Sequence, residues 1–142
     1  MRIRRARISD LPLAKAMLSA AGLPVADLAA EHLAFAAADG ERVTGMIGIE
    51  LHGHIGLLRS LVIAEDARSE GLGRKLVAFL EAAAREDGIA ELWLLTTDAA
   101  PYFAQLGYEI RERSDAPEGI RGTAEFADLC PGDATLMCKP LG

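Results

Sequence analysis

Six consecutive residues, Arg68-Ser69-Glu70-Gly71-Leu72-Gly73, combine a guanidinium with two glycines at a spacing suited to holding a pyrophosphate. Glycine has no Cβ, so backbone N–H groups around Gly71 and Gly73 can close on phosphate oxygens, and a helix starting there adds its dipole. Arg68 supplies a fork of donors against the bound charge. On its own such a string often makes nothing more than a tight connection, so its flanks decide its weight.

Other side chains have the types that move protons or hold anions. Glu50 ends the apolar run Met46-Ile47-Gly48-Ile49, and a carboxylate there is suited to take a proton from an amine through water. Glu125, beside Phe126, is the second candidate base. Arg59 lies inside Leu57-Leu58-Arg59-Ser60-Leu61-Val62, where an unpaired cation would be costly. It either pairs internally or receives an anion. We expect the second, with Arg59 and Ser60 on the acidic group of an acceptor molecule. Tyr102 is the preferred proton donor, ahead of Tyr108, which is expected to start a strand and pack. His52-Gly53-His54 places two imidazoles around a turn glycine without further ligands at metal-site spacing, so a plain turn and no metal is expected.

The elements that must position these groups follow from periodicity. Leu57 to Ile63 is an apolar, β-rich run, and Leu72 to Asp87 places Leu72, Leu76, Phe79, Leu80 and Ala83 on one helical face. Glu91 to Thr96 is a second compact apolar strand, so the helix is the crossover of a parallel βαβ unit, and phosphate would bind where strand meets helix. Upstream, Ile3 to Ile8 is expected as a first strand. Ser9-Asp10-Leu11-Pro12 then starts a helix with Leu13, Met17, Leu18 and Ala21 on its apolar face, ending at Gly22. His32 to Ala38, Arg42 to Leu51 and His54 to Ile63, joined at Asp39-Gly40 and His52-Gly53, form an antiparallel meander. A short helix, Ala99 to Leu106, ends at Gly107. Tyr108 to Glu112 and Ala134 to Lys139 make a terminal strand pair. The long connection between that pair carries Ile120, Phe126 and Leu129 as anchors and is expected to form an ordered lid over the acceptor.

Composition bounds the rest. The length of 142 residues with 51% hydrophobic content suits a single domain over 1–142. Charged residues interrupt every apolar stretch before the ~20 residues of a membrane span, so no membrane partner is expected. A net charge of −6 disfavours nucleic acid, and the local basic residues are better explained by a small phosphorylated ligand. The basic start, Met1 to Arg7, lacks the apolar segment of a secretory signal. Two cysteines, Cys130 and Cys138, without CxxC spacing, indicate reduced thiols and a cytoplasmic location.

The element order, Arg68-x-x-Gly71-x-Gly73, and Ala99-Ala100-Pro101-Tyr102-Phe103-Ala104-Gln105-Leu106-Gly107-Tyr108 together resemble the GNAT N-acetyltransferase superfamily over essentially the whole chain. The resemblance implies an α/β (α+β) fold: a mixed, mostly antiparallel sheet of about seven strands, helices on both faces, and a parallel βαβ unit. It implies acetyl-CoA as cosubstrate, with the pantetheine arm along Leu61, Val62 and Ile63. Arg68, Ser69, Glu70, Gly71, Leu72, Gly73 and Arg74 would lie around the pyrophosphate, and Phe103 near the thioester. It also implies direct acetyl transfer to the amine of a small-molecule acceptor, and is compatible with a homodimer. Phe103 stands four residues before Gly107, where many relatives carry a tyrosine. Thr96 stands where asparagine is frequent, and Ser69 where glycine is.

More narrowly, Gly56-Leu57-Leu58-Arg59-Ser60-Leu61, Leu94-Leu95-Thr96-Thr97 and Thr123-Ala124-Glu125-Phe126-Ala127-Asp128-Leu129-Cys130-Pro131 resemble the GNAT subgroup found with arsenic-resistance genes. That implies an amino acid or an organoarsenical as acceptor. Two further readings stand beside it: a non-catalytic acyl-CoA- or metalloid-binding module, and acetylation of a protein lysine or N-terminus.

Overall fold

The computed structural model describes residues 2–23, 25–124, 126 and 134–142. Seven strands form one mixed sheet in the order β1-β2-β3-β4-β5-β7-β6. The chain packs as two compact units, Met1–Ile49 with Arg59–Ala83, and Glu50–Leu58 with Ala84–Gly142.

In the first unit, β1 (Arg2–Arg5), β2 (Leu33–Asp39) and the first part of β3 (Arg42–His52) are antiparallel, in register Arg4↔Ala36 and Ala36↔Met46. The first strand is shorter than the expected Ile3 to Ile8. The Asp10 carboxylate accepts both Arg4 guanidinium N–H groups, at 2.9 and 3.1 Å, and the Arg7 backbone N–H, at 2.7 Å, and turns the chain into a short 3₁₀ segment, Ile8–Asp10. Helix α1 (Leu11–Ala20) then runs to Gly22, whose φ of 74° lets the Leu23 N–H reach back to the Leu18 carbonyl at 2.9 Å.

Strand side chains alternate between faces, and α1 and α2 (Leu72–Glu86) use that alternation. Ala14 and Leu18 of α1 pack with Ala36, Met46 and Val62. On the opposite face, Phe79 of α2 meets Phe35 edge-on at 5.9 Å, and a Cβ at Gly45 would stand 3.1 Å from Leu76. Three expected apolar positions are corrected, the first being Ala21, which is exposed just past the end of α1. Leu13 is 42% exposed while Ala14 is buried, and Phe79 is 47% exposed while Val77 and Ala84 are buried.

In the second unit, the start of β4 (Ile55–Ile63) pairs in parallel with β5 (Glu91–Thr96), in register Gly56↔Leu92. α2 is therefore the crossover of a βαβ unit, as the periodicity implied. β7 (Thr135–Pro140) lies antiparallel between β5 and the short edge strand β6 (Glu109–Arg111), in register Trp93↔Cys138 and Glu109↔Cys138. Tyr108 precedes β6 rather than starting it. Helices α3 (Ala100–Gln105) and α4 (Glu118–Arg121) complete this unit. Its core joins Leu57, Trp93, Ala116, Ile120, Leu136 and Cys138, with Phe126 against it. Ile120 and Phe126 thus anchor the long connection. Leu129 lies outside the described residues, as do Glu125 and Cys130. Among the described residues, no helix is long and apolar enough to cross a membrane.

Candidate active site

In the first unit the glycine-rich stretch joins strand to helix, as its flanks required, through a 3₁₀ turn rather than an open loop. β4 ends at Ile63, Glu65–Glu70 make the 3₁₀ segment, and Gly71 closes it at φ 72°, ψ 20° before α2 begins at Leu72. That left-handed conformation suits glycine, and the space a Cβ would fill at Gly71 is open. The first N–H groups of any helix lack intrahelical acceptors, so those at the start of α2 are available to an anion. Here the first backbone bond runs from the Lys75 N–H to the Gly71 carbonyl at 3.3 Å. Leu72 and Gly73 are buried and Arg74 is exposed. The Arg68 Nε–H donates to the Ile63 carbonyl at 3.2 Å and ties the turn to the strand end. A polyphosphate fits this constellation: helix-terminal donors, no side chain at Gly71, and guanidinium groups at 68 and 74.

β4 itself carries a feature that residue types did not reveal. Ser60 has φ 60°, the one positive φ outside glycine among the described residues. A side chain there costs ~1–2 kcal/mol. The kink stands immediately before Leu61, Val62 and Ile63, the residues expected to face the pantetheine arm. Val62 is buried, and Leu61 and Ile63 are half-buried.

Of the two fates foreseen for Arg59, the structure contains the internal one. Its Nη1 and Nη2 donate to the two oxygens of Asp27 at 2.6 and 2.7 Å, and its Nε–H reaches Ser60 Oγ at 3.2 Å. The Arg59 side chain has no exposure, and that of Asp27 has 21%. The hydrogen bonds from Arg59 hold the Asp27 carboxyl below the usual carboxylate range, against the opposing effect of burial. The fork expected to grip an acceptor's acidic group is therefore filled by the protein's own carboxylate. Asp27 was missed because it lies in an alanine-rich segment without periodicity, 32 positions from its partner.

In the second unit, Glu50 and His52 sit two apart near the end of β3 and share a face of the strand. Glu50 Oε2 and His52 Nε2 are 3.7 Å apart, with side-chain exposures of 19% and 30%. Gly53, at φ 65°, makes the turn that the sequence implied. Tyr102 and Phe103 lie on α3. Phe103 is buried between Tyr102 and Tyr108, with ring centroids 5.3 and 5.8 Å away, while Tyr102 is 39% exposed. Thr96 accepts the Ala99 N–H on its Oγ1 at 3.0 Å and so steadies the entry to α3. Lys139 donates to the Leu106 carbonyl at 2.9 Å, holding the helix end at Gly107.

Residues 30–110 match the family described as Acetyltransferase (GNAT) domain. Over 63 residues, 44% of this chain, the sequence is 36% identical to an uncharacterised N-acetyltransferase of Chlorobaculum tepidum, and the match covers 40% of that protein. The fold superposes on N-acetylglutamate synthase from Neisseria gonorrhoeae complexed with coenzyme A and N-acetyl-glutamate, with TM-score 0.85 and 20% identity. That match covers 99% of this chain and 35% of the synthase. It also superposes on a Mycobacterium tuberculosis protein in complex with CoA, with TM-score 0.82 and 20% identity, over 99% of both chains. These structural likenesses establish the fold.

Proposed function

Since this chain belongs to the GNAT acetyltransferase family, we propose that it forms one catalytic domain over residues 1–142, which moves acetyl from acetyl-CoA directly to the amine of a small anionic acceptor. The observation that carries the reading is Gly71, left-handed and with open space before it, at the start of a helix that follows β4. Acetyl-CoA supplies the activated thioester; the protein supplies position, donors and a base. Backbone N–H groups near Leu61 and Val62 would polarise the thioester carbonyl. Glu50 would take the ammonium proton through water; the neutral amine nitrogen would then form the new C–N bond and give its second proton to solvent as the C–S pair leaves on sulfur. Tyr102 would return a proton to that thiolate. Phe103 would pack beside the thioester, and Arg68, Ser69, Glu70, Gly71, Leu72, Gly73 and Arg74 would surround the pyrophosphate.

Arg59 enters as a positioning residue that holds Ser60 in its kinked conformation, no longer as the acceptor's ligand. An acidic amino acid or an organoarsenical is the proposed acceptor class. The likeness to a synthase that binds N-acetyl-glutamate supports the first, and the arsenic-associated motifs support the second. Ser60 and Glu125 remain the proposed acceptor contacts. A reducing, cytoplasmic setting is part of this reading, supported by two cysteines without CxxC spacing.

Phe103, buried where relatives often carry a phenol, favours a second reading, an acyl-CoA-binding module without turnover. Mass-detected CoA release over amino acids, amino-phosphonates, arsenical amino acids, polyamines and a lysine peptide separates the two. Turnover confined to acidic small molecules supports the first reading. Tight acetyl-CoA binding with silence across the panel supports the second, and turnover of the peptide alone would redirect the acceptor to protein.

A further inference from the structure

Arg59 meets Ser60 in a way that a regular strand does not allow. Successive side chains of a strand project to opposite faces, so an arginine and the serine after it stand apart. The positive φ of Ser60 turns its hydroxyl back toward its neighbour, where Oγ accepts the Arg59 Nε–H at 3.2 Å. The kink and this hydrogen bond therefore form together. The peptide that follows carries the Leu61 N–H, and because a peptide unit is planar, the Ser60 dihedrals set where that donor points.

The far end of the guanidinium is fixed from the irregular segment after α1. Asp27 accepts Nη1 and Nη2 on its two oxygens at 2.6 and 2.7 Å, and two parallel bonds set the plane of the group as well as its distance. Asp27 is itself seated. The Leu28 N–H donates to the Val25 carbonyl at 3.1 Å, and Val25 and Leu28, on either side of Asp27, pack in one apolar cluster with Val62. Where the segment ends, a Cβ at Gly48 would collide with the His32 carbonyl oxygen and stand 3.4 Å from that of Arg59. Gly48 of β3 thus leaves room for this segment beside Arg59.

We propose that Asp27 is a positioning residue for the thioester: through Arg59 and Ser60 it aims the Leu61 and Val62 N–H groups at the acetyl carbonyl. The inference rests on the acetyl-transfer reading for the carbonyl, and on the hydrogen bonds of Asp27 and Arg59 for the chain of contacts behind those donors. Asp27 touches neither cosubstrate nor acceptor and moves no proton. Its effect is selective, because the acetyl carbonyl belongs to acetyl-CoA and is absent from CoA, while both carry the pyrophosphate. Loosening Asp27 therefore weakens acetyl-CoA binding and spares CoA binding. Glycine adopts a φ of 60° without support, so in a Ser60→Gly background the kink no longer depends on Arg59 and the effect of Asp27 disappears.

Calorimetric titration of CoA and of acetyl-CoA into wild type, Asp27→Asn, Ser60→Gly and the double variant tests this. Asparagine keeps the size of the side chain and one acceptor oxygen, but its amide N–H groups face the guanidinium donors. In Asp27→Asn the preference for acetyl-CoA over CoA is expected to fall about fivefold from the wild-type value, with CoA affinity held within about twofold. In the Ser60→Gly background the same substitution should change the preference by less than about twofold, a non-additivity that a general loss of stability does not produce. An unchanged preference in Asp27→Asn, an equal loss for both ligands, or the same loss in both backgrounds overturns the proposal. Should Asp27→Asn fail to fold, NMR of the wild type decides: the Arg59 Nε–H and Leu61 N–H resonances must differ between the CoA and acetyl-CoA complexes, and identical positions overturn it. A wild type that binds neither ligand sinks the acetyl-transfer reading and this inference with it, whereas wild-type binding with an unaltered preference in Asp27→Asn sinks the inference alone.

Discussion

Arg59 and Asp27 are joined by two parallel hydrogen bonds of 2.6 and 2.7 Å, the guanidinium fully enclosed and the carboxylate near the surface. The pair ties the irregular segment after α1 to β4 next to its kink. Removing Asp27 strands the enclosed guanidinium, so Asp27→Ala is expected to cost about 3–5 kcal/mol of stability, whereas Arg59→Met with Asp27→Leu recovers most of it. Urea unfolding of the three proteins checks this. The pH dependence follows from the depressed Asp27 pKa. The pair's contribution is complete above the ordinary aspartate value of ~4 and is lost as pH falls through the lower folded value. Wild-type stability should drop more steeply below pH ~4 than that of the double variant.

Ser60 is left-handed within a strand, at φ 60°. A β-branched side chain is strained there and glycine is not, so Ser60→Val should destabilise by about 1–2 kcal/mol and Ser60→Gly by less. Acetyl-CoA affinity by calorimetry should follow the same order if the kink sets the backbone donors of Leu61 and Val62. Equal affinities in both variants would detach the kink from the cosubstrate.

At Gly71 the geometry imposes two separate demands, a φ of 72° and free space for a ligand. Gly71→Ala should lower melting temperature by a few degrees through backbone strain of about 1 kcal/mol. Gly71→Val should in addition weaken CoA binding by tenfold or more, because its side chain would occupy the space of the phosphate. Similar CoA dissociation constants in wild type and Gly71→Val would remove the cradle from the site.

Burial, aided by the nearby Glu91 carboxylate, pushes the Cys138 thiol up to about 11. It therefore stays protonated at neutral pH. In a Cys130→Ser background, its reaction with a disulfide reagent at pH 8 should be about a hundredfold slower than that of the unfolded chain. A fast reaction would show that the thiol is reachable and easily ionised instead.

Tyr102 is exposed and Phe103 is enclosed by two tyrosines. Tyr102→Phe should lower turnover while leaving acetyl-CoA affinity intact; unchanged turnover would leave solvent as the proton source for the thiolate.

Local chemistry and periodicity alone determined the order of the elements, the parallel βαβ unit, the turns at Gly40, Gly53 and Gly107, and the glycine stretch between β4 and α2. Each depends on residues near one another in the chain, where backbone conformation and side-chain spacing leave a direct trace. The tertiary structure decided the partners. Asp27 fills the Arg59 fork across 32 positions, α4 closes over His52 through Gly119, and β7 enters between β5 and β6. Helix faces were legible only approximately, since Leu13 and Phe79 have the right period yet are exposed, while Ala14, Val77 and Ala84 are buried. Such pairings are selected by shape and charge between segments distant in sequence. The free energy of enclosing a guanidinium or covering an imidazole appears only once the fold has brought those segments together.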